Sequence, residues 1–376
     1  MVDVERRRSE TIPARSRLDR RREGKMVARA RKSATPSPVA RDRGRTPGRA
    51  APRRRYTPPA LDPGSRADTS TRLLLHSLLE ALRSQEEGVG RHDPEALHDF
   101  RVALRRARCL LGQVRGVLPR GDLDRLRADL NWLGKVTGPA RDCDVLLERL
   151  ESSRRALAPD ERTALAPVTA LVRRERHGVR RELQGALGST RYRRLLDEWE
   201  RVASEPGDGS TSGEDLTTAG STADAVDGAR PTAAIAAEAI ERAWRRLVRR
   251  GRAVSESSPA EAYHRVRIDG KKLRYLLELH QSAYPGVDLG ATLSASRRLQ
   301  DCLGKLNDAT VHEQALRHLG HSLASSGAAA DTLLLTGRLM ERTRVAATEA
   351  RSRFADRFAP LTAKDNRRRI RALQVR

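Results

Sequence analysis

Aromatic residues are scarce in this chain: three Phe, five Tyr and three Trp among 376 residues. Strands draw on aromatic and β-branched side chains, so the scarcity favours a protein built from Leu- and Ala-bearing helices. It also removes the stacking platforms on which single-stranded nucleic acid is held. Cysteine is equally sparse. Cys109, Cys143 and Cys302 form no Cys-x-x-Cys pair, which argues against a disulfide framework or a cysteine-based metal site. A reducing compartment, the cytoplasm, is the expected setting. No apolar run approaches the ~20 residues of a membrane helix. The start, MVDVERRRSE, lacks the apolar core of a secretory leader.

What the chain has in excess is positive charge. Lys and Arg number 74 against 49 Asp and Glu, a net of +25. Such an excess points to a polyanionic partner, although it says nothing about fold. Residues 1–67 are rich in Arg, Pro, Ser and Gly, carry 20 basic and 7 acidic residues, and show no apolar periodicity. They read as a disordered basic tail, able to add weak, non-specific contacts to nucleic acid. Residues 204–230 are Gly/Ser/Thr-rich and acidic and read as a flexible linker. Residues 364–376 read as a short basic tail. Between them lie two helical stretches, 68–203 and 231–363. Apolar periodicity places helices near 69–88, 93–118, 122–136, 141–157, 160–187 and 190–203 in the first. In the second they fall near 232–254, 259–283, 290–305, 308–325 and 328–360.

The two stretches are copies. His98-x-x-Arg101-x-x-x-Arg105-Arg106-x-Arg108 returns as His264-x-x-Arg267-x-x-x-Lys271-Lys272-x-Arg274, 166 residues on. Gly138 with Asp142 meets Gly304 with Asp308, and Arg191-Tyr192 with Leu195 meets Arg357-Phe358 with Leu361, at that same offset. Three blocks in one ungapped register mean two repeats of one folding unit. On a helix, His98, Arg101, Arg105 and Arg108 fall on one stripe roughly 80° wide, and Arg106 falls off it. Leu97, Phe100, Leu104 and Leu111 supply the packing flank beside it. The second copy repeats the stripe with His264, Arg267, Lys271 and Arg274, while Lys272 falls off it.

Cations at i,i+3 and i,i+4 repel by a few tenths of a kcal/mol per pair. Meeting that cost twice, at matching positions, points to an anion on the stripe. Arg grips two phosphate oxygens with its planar fork, and Lys acts as a point charge. A nearby phosphate would raise the pKa of His98 or His264 so that it charges at neutral pH. The stripe spans about 15 Å over three turns, which suits an extended polyanion. The opposing reading is a solvated basic face balanced by acidic neighbours such as Asp142 and Asp308, which read as structural and as helix caps.

At these residues the chain resembles the CHAD family, the conserved histidine α-helical domain. The resemblance rests on the duplicated basic block, on Arg274-Tyr275 with Glu278, and on the 138–145 motif Gly-Pro-Ala-Arg-Asp-x-Asp-Val, with Leu303-Gly304 and Asn307-Asp308 as its weaker partner. It covers about 69–363. Membership implies an all-α fold of two pseudo-symmetric up-down helical bundles, with the basic helices facing each other across a cationic channel or cleft. It also implies non-catalytic binding of inorganic polyphosphate and association with polyphosphate granules. The implied ligands are His98, Arg101, Arg105, Arg106 and Arg108, with His264, Arg267, Lys271, Lys272 and Arg274. Lys135, Arg141 and Lys305 extend the surface.

Three competing readings are weaker. A nucleic-acid- or ribosome-associated protein fits the charge, but no helix-turn-helix or RNA-binding signature is visible. The triphosphatase domain found in many relatives has only a faint echo in Asp3-x-Glu5-x-Arg7. His98-Asp99 reads like the metal-binding pair of phosphohydrolases, yet the second copy has His264-Arg265. No metal and no cofactor are expected.

Overall fold

The computed structural model describes residues 56–114, 116–205 and 225–374. The first copy forms α1 (Ala67–Arg83), α2 (Glu86–Gly90), α3 (Pro94–Leu111), α4 (Arg120–Arg155), α5 (Pro159–Leu187) and α6 (Thr190–Ser204). The second forms α7 (Thr232–Arg252), α8 (Ala260–His280), α9 (Gly290–Ser325), α10 (Ala330–Ser352), α11 (Phe354–Thr362) and α12 (Lys364–Ala372). Among the described residues there is no β-strand, only an isolated bridge between Arg66 and Pro231. The fold is all-α, and the second half repeats the helix order of the first.

Local sequence explains how the basic helix of the first copy begins. Asp93 caps α3 by accepting from the Glu95 amide at 2.9 Å, and Pro94 fills the first helical position, where a missing N–H costs nothing. The α3 flank predicted to pack is buried: Leu97, Phe100, Leu104 and Leu111 are all sheltered from solvent.

The two long helices depart from the expected pattern. A break was expected at Gly138-Pro139 and again after residue 305. Instead α4 and α9 each run 36 residues, with Pro139 inside α4. A proline removes one helical bond and crowds the preceding turn. Here both ends of the helix are held by separate apolar clusters, and that outweighs the local defect. Leu126, Leu130 and Leu133 enter a large core shared by both copies. Leu146 and Leu150 enter a second cluster with Leu316, Leu319 and Leu323 of α9. Asp142 and Asp308 therefore lie mid-helix and cap nothing. Between the clusters the long helices present a polar waist.

Three boundaries move. The N-terminal tail was drawn to residue 67, but Leu61 is already buried in the main core; residues 1–55 lie outside the described residues. The linker was drawn to residue 230, yet its last residues are stitched down. Asp227 N–H donates to the Gly116 carbonyl at 2.7 Å, Asp68 N–H to Gly228 at 3.1 Å and Ala67 N–H to Arg230 at 2.9 Å. Residues 206–224 lie outside the described residues. The basic C-terminal tail is in fact α12, whose Ile370 is fully buried. In register, α11 and α12 together stand where α6 stands in the first copy. Tyr192 and Phe358, and likewise Leu195 and Leu361, are buried at matching places.

Candidate anion-binding site

The two basic helices, α3 and α8, pack directly on one another. At their contact Arg106 donates to Glu278 at 2.9 Å, and the Cys109 thiol donates to the Lys272 carbonyl at 3.6 Å. The Arg106 guanidinium also lies 4.9 Å from the Tyr56 ring centre and 5.8 Å from that of Tyr275. Only 15% of the Arg106 side chain and 12% of Glu278 are exposed. Arg106, expected among the ligands, is thus a correction: it clamps one basic helix to the other. Its position off the stripe was the sequence signal for this.

The clamp brings the two stripes into one electrostatic cluster centred on Arg105. The positive charge of Arg105 bears on His98, Arg101 and Arg108 of its own helix and on Arg267 and Lys271 of α8. Burial lowers the pKa of Arg101 to about 10, with Arg105 adding to the effect. Burial again, then Arg267, Arg105 and Arg274, brings Lys271 down to about 7, against the pull of Asp308. Arg108 and Arg267 are lowered chiefly by burial. His98 sits below its ordinary value, first through burial and then through Arg141 and Arg105. These side chains are short of counter-charge.

Hydrogen bonding shows the same shortage. Arg101 Nη1 donates to Thr137 Oγ1 at 2.7 Å and to the Gly134 carbonyl at 3.1 Å, which anchors it on α4. The Nε atoms of Arg101, Arg105, Arg267 and Arg274 are buried without an acceptor among the described residues. A buried donor left in this state costs about 1–3 kcal/mol. His264 is exposed and its Nδ1 lies 2.8 Å from Asn307 Oδ1. Arg274 lies 5.0 Å from the Tyr275 ring centre and 3.9 Å from Glu278.

Two carboxylates from the waist face this cluster, one from each long helix. Asp308 pulls on Arg267 and Lys271 and is held by Arg149 Nη2 at 3.0 Å. The Asp142 carboxyl is raised by desolvation, and Asp308 raises it further against Arg101 and Arg141. Asp144, two residues on, has a different part. It is buried and grips Arg180 through both oxygens, at 2.8 and 2.9 Å, and Arg176 at 2.6 Å, fixing α5 to α4.

The outlying residues divide. Arg141 donates to the Pro94 carbonyl at 3.2 Å and bears on His98, so it adjoins the cluster. Lys135 is exposed on α4 and makes no hydrogen bond or ion pair among the described residues. Lys272 is half-buried beside the α3 contact. Lys305 turns to another flank of α9 and lines a separate cavity. Arg149 and His312 were not foreseen. They have no counterpart at the repeat offset, where Ala315 and Leu146 stand, so comparing the copies passes over them.

The CHAD-domain family model matches residues 73–317, which take in both basic helices and both long helices. The chain belongs to the CHAD-domain family. Its similarity extends to two uncharacterized proteins of Mycobacterium tuberculosis, MT2285 of strain CDC 1551 / Oshkosh and Rv2226 of strain ATCC 25618 / H37Rv. Each is 31% identical over 241 residues, 63% of this chain. The match spans 42% of the length of those relatives. The crystal structure of the CHAD domain from the plant Ricinus communis is similar with a TM-score of 0.59 and 25% identity, over 84% of this chain and 97% of that one. PptA from Streptomyces chartreusis shares the fold, with a TM-score of 0.57 and 20% identity over 78% and 99% of the two chains. Among the described residues of this CHAD protein, no helix is long and apolar enough to cross a membrane. No group of three or more His, Cys, Asp or Glu among them is placed to hold a metal.

Proposed function

We propose that this CHAD protein binds inorganic polyphosphate along the paired stripes of α3 and α8, without turning it over, and that it associates with polyphosphate granules inside the cell. The observation that carries this reading is the cluster itself. Arg101, Arg105, Arg108, Arg267, Lys271 and Arg274 are drawn together, several of them desolvated, with four buried Nε donors unsatisfied. Like charges gathered in this way repel one another in the folded protein. An anion entering the cluster supplies acceptors and relieves the mutual repulsion together. The exposed end at His264 leaves room for a ligand longer than the cluster. A thread of linked phosphates meets that geometry with a repeated charge, where a single phosphate would satisfy one or two of these side chains.

The test is charge reversal at one residue of each stripe, Arg101→Glu with Arg267→Glu. The double variant is expected to lose retention on immobilised long-chain polyphosphate, with the helical circular dichroism of the parent. Retention equal to the parent overturns the reading. Duplex DNA at equal phosphate concentration is expected to leave the bound polyphosphate in place, and displacement by it overturns specificity for polyphosphate.

A further inference from the structure

A second feature lies on another flank of α9. A cavity of about 740 Å³ opens between the C-terminal half of α4, α9, α10 and α11. At ~100° per residue, Arg298, Lys305 and His312 share one side of α9, while Gln300 and Asn307, which meet α8, point nearly the opposite way. No residue of α3 or α8 lines the cavity.

Its chemistry is two-sided. Leu146, Leu150, Leu316 and Leu339 contribute an apolar wall. Six cations line it, Arg149, Arg298, Lys305, Arg342, Arg353 and Arg357, against two carboxylates, Asp301 and Glu349. Arg149 is held by Asp308 at 3.0 Å, and Arg353 lies 3.8 Å from Glu349. Arg298, Lys305 and Arg357 make no ion pair among the described residues.

The deciding group is His312, only 7% exposed. Arg149 Nη1 lies 2.9 Å from its Nδ1. A guanidinium has no acceptor, so Arg149 donates, Nδ1 is the lone pair and the ring proton sits on Nε2. Burial, then Arg149, holds the ring pKa near 4, which agrees with a neutral imidazole of this tautomer. Nε2–H is buried and finds no acceptor. An unpartnered donor on a residue that lines a cavity walled by leucine and rimmed by cations suits an oxyanion attached to an apolar body. The volume falls in the range of sites for small organic ligands.

We propose that this cavity is a second ligand site, separate from the α3–α8 stripes, for a small organic oxyanion with an apolar or aromatic body. The oxyanion accepts from His312 Nε2–H and faces the unpaired cations, and the body lies on the leucine wall. The probe is 8-anilinonaphthalene-1-sulfonate, titrated by fluorescence into the full chain with saturating long-chain polyphosphate present to fill the stripes. One equivalent is expected to bind. His312→Phe, and separately the rim pair Arg298→Glu with Lys305→Glu, are each expected to weaken it at least tenfold. The exposed rim pair keeps the test valid should the buried change unfold the chain. The His312 Nε2 nitrogen resonance is expected to shift on addition of the probe. Unchanged affinity in the rim variant, a resonance that stays put, or loss of the probe when polyphosphate is added each overturns the proposal. Polyphosphate retention by these variants is expected to match the parent. The Arg101→Glu, Arg267→Glu double variant is expected to keep the probe, so failure of either site is told apart from failure of the other.

Discussion

Lys271 is the side chain where burial and like charge act together, and its pKa near 7 gives the proposed binding a pH signature. A bound phosphate restores the ammonium, so binding takes up a proton once the free lysine has lost its own. Affinity for polyphosphate is therefore expected to fall as pH rises from 7 to 9, measured by calorimetry in buffers of different ionisation enthalpy. Lys271→Arg, charged throughout that range, is expected to flatten the dependence. The same shift acts on folding with a definite sign. The folded pKa is depressed from 10.5 to about 7, so between those values the unfolded chain holds more protons and stability rises with pH. Lys271→Met is expected to remove that slope and to stabilise the protein at pH 7 by about 1 kcal/mol, while weakening polyphosphate binding. Arg106 behaves in the opposite way. Arg106→Ala leaves Glu278, in a sheltered contact, with only the longer approaches of Arg274 at 3.9 Å and Arg297 at 3.7 Å, and urea unfolding is expected to show a loss of about 2 kcal/mol. Adding Glu278→Gln is expected to recover part of it.

Among the helices, the contact between basic helix and long helix is built twice with the sizes exchanged. In the first copy Leu104 of α3 faces Gly134 of α4, where an added Cβ would come 4.0 Å from the Leu104 side chain and 2.8 Å from Arg108 Nη1. In the second copy the matching pair is Gly270 of α8 and Gln300 of α9, where a Cβ on Gly270 would lie 2.3 Å from Gln300 Nε2. Gly270 thus marks a close approach of two helices. Gln300 uses the space to donate to the Arg267 carbonyl at 3.3 Å. Gly270→Leu alone is expected to destabilise by about 1–3 kcal/mol through overpacking. Combined with Gln300→Gly, it rebuilds the first-copy arrangement. The double variant is expected to unfold at higher denaturant than additivity predicts; simple additivity would mean the two contacts are not equivalent.

For the whole molecule, the arrangement is two apolar clusters joined by two long helices, with the charged waist and α3–α8 contact beside them. Such a protein stores repulsion in the folded state, so a polyanion that binds only the folded form raises its melting temperature. Polyphosphate is expected to do so strongly at low salt and little at high salt. If six to ten phosphates are contacted, affinity is expected to drop on the order of 10³-fold or more between 50 and 200 mM salt. A salt-independent affinity would argue against contact with the stripes.

The sequence by itself determined that the chain is helical, that it contains two copies of one unit, and which faces of α3 and α8 carry the charge. These follow from local periodicity and from register, both of which are properties of the linear chain. Even the outlying angle of Arg106 was there to be read. Tertiary structure decided what periodicity does not contain. Pro139 passes inside α4 because separate cores hold the two ends of that helix, which no local signal conveys. The C-terminal basic segment is a packed helix because Ile370 finds a pocket made by distant residues. His312 and Arg149 come together from positions 163 apart in sequence, and only the fold sets that histidine, with its unpaired nitrogen, in the lining of a cavity.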